Sequence, residues 1–231
     1  IKTVPTNCPN CGAFLLGSWD CQTCGFEIEK PEDAIRRKLA SVDPLSNLAK
    51  GNIMLLDSTN GEIVEVDAFK VPIWKISKEQ LNLKSINSAI RLENMNTLVL
   101  DGETSEFVEF TPKGKTVRRF KVGEDGFGLN NPAFFTLINS DNNLLIADTY
   151  NHRILETDQD GAIIWEYGQF GMAGLKAPLL NSPKYIQKTY DETYLITDTG
   201  NDRIIELNRF TDIDTGIKRV KIQSEYGNEI N

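Results

Sequence analysis

Short apolar runs of about five residues dominate the chain, and polar or turn-forming residues end each of them. Four runs end in Asp, and a second apolar run carries Glu eight positions after each Asp. The pairs are Asp57 with Glu65, Asp101 with Glu109, Asp148 with Glu156, and Asp198 with Glu206. Successive Asp residues lie 44, 47 and 50 positions apart, a spacing typical of propellers or solenoids. One structural unit is therefore repeated at least four times.

Most units contain four β-prone runs separated by turn residues. In the third unit the runs cover 133–138, 144–148, 153–158 and 162–168. Four antiparallel strands per unit are typical of a propeller blade. The first unit is weaker, because LSNLAK makes a poor innermost strand, and terminal repeats are commonly atypical. We predict a mainly β fold in which propeller blades span 44–231, at about 44–80, 81–128, 129–178 and 179–231.

Two turns that follow the repeated Asp resemble the signature of the NHL repeat, namely DTYNHRI at 148–154 and DTGNDRI at 198–204. The resemblance covers about 44–228 and fades in the first two units, where Glu62 and Glu106 replace the motif's Arg. NHL-repeat propellers are commonly six-bladed rings, but only four units are visible and the last stops at a blade boundary. We therefore expect an open or incomplete propeller.

The repeated Asp is interpreted as a turn residue. It can accept amide hydrogens of the turn, the following Asn151 or Asn201 tolerates a left-handed conformation, and Arg153 or Arg203 can return to pair with it. The repeated Glu has no comparable explanation, since Glu is disfavoured in strands. We expect Glu65, Glu109, Glu156 and Glu206 to be partnered or solvent-facing rather than catalytic.

All four cysteines lie within the first 24 residues, as two CxxC pairs, Cys8 with Cys11 and Cys21 with Cys24. A two-residue spacer lets both thiolates of a turn face one ion, and two pairs make a closed S₄ site. Residues 5–29 resemble zinc-ribbon and rubredoxin-like knuckles. We predict a zinc ribbon over 1–30 with a structural Zn²⁺, while iron in the same cage stays chemically possible. Thiol–disulfide exchange is disfavoured because no βαβ pattern is present.

Two local predictions complete the N-terminal region. Segment 31–43 reads as a short helical connector, with Pro31 in its first turn, acidic residues beside it and a stop before Pro44. Within the ribbon, the apolar residues Phe14, Leu15, Leu16 and Trp19 are expected to supply a small core in most cases, with a protein-docking surface as the alternative.

Composition is that of a soluble globular protein, with 40% hydrophobic and 25% charged residues. The net charge of −8 disfavours nucleic acid as a partner, because nucleic acid is itself a polyanion. No apolar run approaches the roughly 18 residues of a membrane span, and the first residues lack a signal-peptide pattern. We expect a protein of the reducing cytoplasm, soluble or peripherally associated with a complex.

One basic segment supports an alternative function. Residues 111–121 contain five basic side chains and no acidic one: Lys113, Lys115, Arg118, Arg119 and Lys121. Such a strand can bind RNA, but Phe120 is its only aromatic residue, too few for a base-stacking platform. On an outermost strand these charges also serve to block edge-to-edge aggregation.

Catalysis has little support in the sequence. His152 is the only histidine and lies in a predicted turn, so a triad or a histidine-rich catalytic metal site has few candidates. NHL-like propellers include lyases and lactonases that use polar residues of innermost strands, which here carry few carboxylates. We interpret the chain as a non-enzymatic scaffold that binds protein partners within a larger assembly.

Overall fold

The computed structural model describes residues 5–28, 51–123, 126–138, 142–211 and 218–227. The predicted connector helix at 31–43 and the weak first strand at 45–50 lie outside the described residues. Two compact units are present. One comprises Ile1–Ile53 with Glu65–Trp74, and the other comprises Met54–Val64 with Lys75–Asn231. Each unit is described by itself.

Fifteen strands in the described residues form four sheets. Blade 1 contains β1 (Ile53–Asp57), β2 (Glu62–Val66) and β3 (Pro72–Ser77). Blade 2 contains β4 (Ser88–Arg91), β5 (Thr97–Asp101), β6 (Glu106–Phe110) and β7 (Thr116–Lys121). Blade 3 contains β8 (Phe134–Ile138), β9 (Asn143–Asp148), β10 (Arg153–Thr157) and β11 (Ile163–Gly168). Blade 4 contains β12 (Tyr185–Lys188), β13 (Tyr194–Asp198), β14 (Arg203–Thr211) and β15 (Lys218–Gly227).

Blades 2, 3 and 4 are four-stranded antiparallel sheets whose strands follow chain order. The predicted mainly β, propeller-type fold is confirmed. Short 3₁₀ helices at Thr149–Asn151 and Thr199–Asn201 connect the two middle strands of blades 3 and 4. The last two strands of blade 4 have nine and ten residues, longer than their five- and six-residue counterparts in blade 3.

The core lies between blades, because both faces of each middle strand are apolar. We name the two faces of a blade by positions counted from its repeated Asp. The leading face consists of the side chains at three residues before, one residue before and six residues after the Asp. The trailing face consists of the side chains at four residues before, two residues before and seven residues after the Asp. In blade 2 the leading face packs on the trailing face of blade 3. Blade 3 packs on blade 4 in the same way.

The register explains this arrangement. Successive side chains of a strand point to opposite faces, so a fully apolar strand supplies both faces at once. Leading residues Leu98, Leu100 and Phe107 meet trailing residues Leu144, Ile146 and Leu155 in one buried cluster. Its centre is aromatic, with Phe107 stacked on Phe120 at 5.1 Å and edge-on to Phe135 at 5.0 Å between ring centroids.

Replacing Phe107 by Ala should lower the free energy of unfolding by about 3–5 kcal/mol, because it removes the buried ring shared by blades 2 and 3. Chemical denaturation monitored by circular dichroism measures the change. The matched control is Phe69→Ala, where the ring is exposed and the expected loss is at most about 0.5 kcal/mol. Equal losses in the two variants would contradict the interblade core.

Candidate metal centre and loop surface

The four cysteine sulfurs lie together at one site. All four Sγ atoms are within 4.8 Å of one another. The Sγ atoms of Cys8 and Cys24 are 3.8 Å apart, and those of Cys11 and Cys21 are 3.6 Å apart. A tetrahedron with metal–sulfur bonds of about 2.3 Å has edges of about 3.8 Å. The donor set therefore fits a tetrahedral metal site, and the predicted ligands are brought together.

Each CxxC pair is closed by the glycine that follows it. The amide of Gly12 donates to the carbonyl of Cys8 at 2.9 Å, and the amide of Gly25 donates to the carbonyl of Cys21 at 2.8 Å. Both glycines have positive φ, +77° and +70°, which other residues rarely adopt. The backbone amide of Asn10 also points to the Cys8 sulfur at 3.4 Å. Two equivalent knuckles are thus built from local hydrogen bonds.

The thiols titrate differently from one another. Hydrogen bonding from the Cys24 backbone lowers the pKa of Cys21 to about 6. Although the Ala13 backbone lowers the pKa of Cys11, interactions with the neighbouring sulfurs, Cys24 first, raise it to about 12. Backbone hydrogen bonds and neighbouring sulfurs therefore move the pKa values of these two thiols in opposite directions. Metal binding to all four sulfurs must release protons, so acid should oppose it.

The ribbon core is smaller than predicted. Leu15 is buried with Cys8 and Cys21, and Ala13 and Ile28 pack against this group. The expectation that most of the four large apolar residues form the core is wrong, since Phe14 and Leu16 are exposed. A unit this small buries only a small share of its surface, which leaves the flanking residues outside its core.

In the second unit, the repeated Asp of blades 3 and 4 forms a buried ion pair with the motif Arg. Nε of Arg153 lies 2.8 Å from Oδ2 of Asp148, and Nε of Arg203 lies 2.7 Å from Oδ2 of Asp198. All four side chains are buried. The predicted pairing of Arg with Asp is confirmed in both blades.

The turn itself differs from the prediction in two respects. The left-handed residues are His152 and Asp202, with φ of 57° and 52°, rather than the Asn before each of them. Asn151 instead donates through Nδ2 to Asp148 at 2.9 Å. Asp148 accepts no backbone amide of its own turn, since the amide of His152 donates to the carbonyl of Thr149 and the amide of Tyr150 donates to the carbonyl of Asn130.

The motif fastens the loop that enters each blade. Oδ1 of Asp148 accepts the amide of Asn130 at 2.8 Å, and Arg153 donates to the carbonyl of Phe127 at 2.7 Å. In blade 4, Asp198 accepts the amide of Asn181 at 2.6 Å, and Arg203 donates to the carbonyl of Leu179 at 3.3 Å. We call this set of contacts the loop clip. Its partners lie about 20 residues upstream, which a reading of the turn alone does not reveal.

Blade 2 keeps the Asp contacts of the loop clip but has Glu106 at the position of its Arg. Asp101 accepts the amides of Lys84 and Ser85, at 2.7 and 3.1 Å, and also the turn amides of Glu103 and Thr104. Burial raises the pKa of Asp101, but these hydrogen bonds outweigh it and hold the pKa below its usual value. In blade 1 the described partners of Asp57 belong to its own turn, at Thr59 and Asn60.

The residue at the motif's Arg position is basic in blades 3 and 4 and acidic in blades 1 and 2. Arg153 pairs with Glu166 at 3.3 Å on the neighbouring strand, and Arg203 pairs with Glu225 at 3.0 Å. At the same positions of the two earlier blades the signs are exchanged: Glu106 pairs with Arg119 at 2.8 Å, and Glu62 pairs with Lys75 at 2.7 Å. The cross-strand attraction is therefore retained in all four blades, although the clip is not.

The repeated Glu also has a repeated partner. Each Glu accepts a hydrogen bond from the residue five positions before the repeated Asp, which lies at or just before the start of the adjacent middle strand. The pairs are Asn52 with Glu65, Asn96 with Glu109, Asn143 with Glu156, and Thr193 with Glu206. The prediction that the Glu residues are partnered is thus confirmed. The sequence contained a signal for these partners, because an Asn lies five positions before three of the four repeated Asp residues.

Two of these Glu residues also join neighbouring blades. Arg209 of blade 4 donates to Glu156 of blade 3 and lies 4.3 Å from the centroid of the Trp165 ring. Arg118 contacts Glu109 within blade 2 at 2.8 Å and reaches Asp160 of blade 3 at 3.1 Å. Burial raises the pKa of Glu109, but Asn96 and Arg118 outweigh it and lower the pKa below its usual value.

The basic segment is only partly available as a positive surface. Arg118 is paired with Glu109 and Asp160, and Arg119 is paired with Glu106 and donates to the carbonyl of Leu81. The three lysines of the segment are exposed: Lys113, Lys115 and Lys121. Both arginines of the segment are thus paired with acidic side chains.

A cavity of about 280 Å³ lies between blades 2 and 3 beside these arginine contacts. Leu98 and Leu144 line its apolar side, while Glu109 and Arg118 line its polar side. These two polar groups bond each other at 2.8 Å. The charged groups that line the cavity are therefore already paired with each other.

An exposed aromatic surface lies where the clipped loops meet the turn of blade 3. Its members are the exposed Phe127 and Phe170, whose rings touch, and the exposed Tyr150 and Met172, whose neighbours Asn151 and Gly171 join the same loops by hydrogen bonds. We call these four side chains the aromatic loop patch. The rings of Phe127 and Phe170 are 5.3 Å apart, and the Arg153 guanidinium lies 4.6 Å from the centroid of Phe170. The buried clip therefore supports the patch from beneath. Sequence reasoning missed it, because its members lie on three separate loops.

Residues 129–156 match the family model described as NHL repeat. The matched segment contains β8, β9 and most of β10, together with the clipped turn. Blade 3 is therefore an NHL repeat, and the predicted resemblance to NHL-repeat β-propellers is confirmed. The chain is thus a mainly β protein of propeller-type blades, one of which contains the segment that matches the NHL repeat, and it carries a four-cysteine cluster at residues 8–24.

Solved structures with a similar fold are distant in sequence. A protein of unknown function from Bacteroides thetaiotaomicron has a TM-score of 0.55 at 13% identity, over 76% of this chain and 45% of its own. A streptogramin B lyase has a TM-score of 0.50 at 14% identity, over 74% and 51%. A catalytically inactive virginiamycin B lyase from Staphylococcus aureus has a TM-score of 0.50 at 16% identity, over 75% and 52%. These likenesses show the fold alone.

The chain spans about half the length of these solved structures. Among curated proteins, no match was found. Within the described residues, no helix is long and apolar enough to cross a membrane.

Replacing Arg153 by Ala should lower the free energy of unfolding by about 3–5 kcal/mol, because Asp148 then stays buried without its cation. Denaturant unfolding measures the change, and Arg203→Ala should behave alike. Arg119→Ala is the matched control, since that ion pair is partly exposed and contributes at most about 1 kcal/mol. Equal losses at positions 153 and 119 would contradict the buried clip.

Proposed function

We propose that the chain is a non-enzymatic protein-interaction module of a larger assembly, with a structural zinc site in its N-terminal ribbon. The observation that carries this function is the aromatic loop patch. Aromatic side chains and Met are enriched where proteins bind one another, and buried aromatic anchors supply most of the binding free energy. NHL repeats commonly mediate protein interactions.

The patch is suited to binding because its loops are fixed in advance. Arg153 holds the carbonyl of Phe127 and stacks against Phe170, while the amide of Gly171 donates to the carbonyl of Asn151 at 3.0 Å. Loops that are already ordered lose less conformational entropy on binding. A partner with a complementary apolar surface can therefore bury these rings at low entropic cost.

The remaining sites support this reading over catalysis or RNA binding. Nδ1 of His152 accepts the amide of Ser182 at 3.0 Å, so the single histidine joins the turn of blade 3 to the loop that enters blade 4. Arg118 and Arg119 contact acidic side chains, which reduces the positive field of segment 111–121. Four cysteine ligands would close the shell of a metal, and a closed shell is typical of a structural site.

The purified chain should contain one equivalent of zinc, measured by elemental analysis. Cys21→Ser should lower the zinc content, because it removes one of four thiolate ligands, whereas Thr23→Ala in the same knuckle should retain it. Falling pH should release the metal, since protons compete for the sulfurs. A coloured protein with stoichiometric iron would contradict zinc, and a metal-free folded ribbon would contradict the site itself.

Affinity purification from the native source, with nuclease treatment, should recover a defined protein partner. Replacing Tyr150 and Phe127 by Ser should abolish that recovery, because both rings are exposed in the patch. Tyr190→Ser is the matched control, since Tyr190 is exposed on the turn between β12 and β13, at the opposite end of its sheet. Recovery of RNA that is sensitive to salt and lost on replacing Arg118 and Arg119 would contradict this proposal.

A further inference from the structure

A second cavity between blades 2 and 3 lies at the end of the sheets that carries the loop clips. Its volume is about 440 Å³, within the range of small-molecule sites in proteins. Residues of the blade 2 turn at 102–105 line one side, and Asn130 and Asn131 of the loop that enters blade 3 line the other. Tyr150, on the turn of blade 3, lines it as well. We call this space the loop-end cavity.

At the corresponding position between blades 3 and 4, a histidine bridges the two loops. His152, four residues after the repeated Asp, accepts the amide of Ser182 through Nδ1 at 3.0 Å. The equivalent residues between blades 2 and 3 are Ser105 and Asn131. Ser105 has the same left-handed conformation as His152, with φ of 54° and 57°, but its side chain is much shorter. No described residue accepts the Asn131 amide, so the space that an imidazole would occupy is open.

The walls of the loop-end cavity are fixed without the histidine. In blade 3, Oγ1 of Thr149 donates to the carbonyl of Pro183 in the next loop at 2.9 Å. Blade 2 has Gly102 at that position, and Nδ2 of Asn87 donates to the equivalent carbonyl of Pro132 at 2.9 Å. A Cβ at position 102 would lie 1.9 Å from this Nδ2, so the arrangement requires glycine. The cavity is therefore formed before any ligand enters it.

The lining groups are polar and mostly uncharged. The side-chain amides of Asn130 and Asn131 and the hydroxyl of Tyr150 have no hydrogen-bond partner among the described residues, and each can donate and accept. Glu103 is exposed and is the only charged side chain among the described lining residues. Anionic ligands are therefore disfavoured, and one carboxylate is too few to hold a metal ion. The described lining contains no aliphatic side chain, which disfavours an apolar ligand.

We propose that the loop-end cavity binds a saccharide, with space for about one or two sugar rings. Sugar hydroxyls donate and accept hydrogen bonds, as do the amides and hydroxyls that line the cavity. The ring of Tyr150 is 56% exposed and offers a face on which the C–H groups of a sugar ring can pack. Glu103 can accept hydrogen bonds from sugar hydroxyls. The inference does not rest on the proposed function, although Tyr150 belongs to both surfaces.

Saturation-transfer NMR of the full chain with the methyl glycosides of glucose, galactose, mannose and N-acetylglucosamine tests the site. At least one should bind, and titration gives its dissociation constant. Ser105→His should raise that constant by at least about tenfold, because the imidazole fills the cavity and can accept the Asn131 amide as His152 accepts that of Ser182. Ser105→Ala is the matched control, since it keeps the space open and should retain most of the affinity.

A second variant tests the polar contacts. Glu103→Ala should raise the dissociation constant by at least about tenfold, because it removes charge-assisted hydrogen bonds to the sugar. Asp191→Ala changes the net charge equally on the exposed turn between β12 and β13 and should leave the constant unchanged. Circular dichroism checks that each variant is folded, and the exposed Glu103 keeps the inference testable should Ser105→His misfold.

An array of immobilised oligosaccharides distinguishes a free sugar from the end of a longer chain. Array binding that the free methyl glycoside inhibits places a chain end in the cavity, whereas binding of the free glycoside alone favours a small sugar. Absence of binding in both assays overturns the inference, as does binding that Ser105→His and Glu103→Ala leave unchanged. Binding of an unglycosylated peptide that Ser105→His abolishes would also overturn it, because a protein segment would then occupy the cavity.

Discussion

The covering of each blade by its neighbour is the constraint on which the fold depends. A middle strand with apolar side chains on both faces cannot be stable in water alone, since only burial of both faces offsets the conformational entropy of ordering it. Leu98, Val99 and Leu100 are three consecutive apolar residues of β5, and each is buried. Neighbouring blades bury such runs pairwise, so a blade is stable only within an array.

The polar residues of the repeat act at the margins of this apolar packing. At one end of the sheets, the Asp and Arg of the loop clip fasten the incoming loop. At the other end, the Glu accepts a hydrogen bond from an Asn or Thr at the start of the adjacent strand. Buried polar groups of this kind are costly unless every partner is present. The array therefore combines non-directional packing at its centre with directional contacts at both ends, and the latter fix the register.

The sequence predicted the fold well because the signals of a propeller are local. Alternation along strands, turn residues and the recurring Asp all act within a few positions. The Asp–Arg pair was predictable for the same reason. The partners of the loop clip were not, because Asn130 lies 18 residues before Asp148 and Phe127 lies 26 residues before Arg153, so only the folded blade brings them together. Phe14 and Leu16 were mispredicted because apolar character alone does not determine burial in so small a unit.

The loop clip joins each sheet to the loop just upstream of it. Asp148 and Arg153 bond residues 130 and 127, and Asp198 and Arg203 bond residues 181 and 179. The structural repeat unit is therefore the incoming loop together with the sheet that follows it. A duplication with those boundaries copies the ion pair together with the loop backbone groups that it bonds, so the array can gain a blade without leaving those buried polar groups unpartnered.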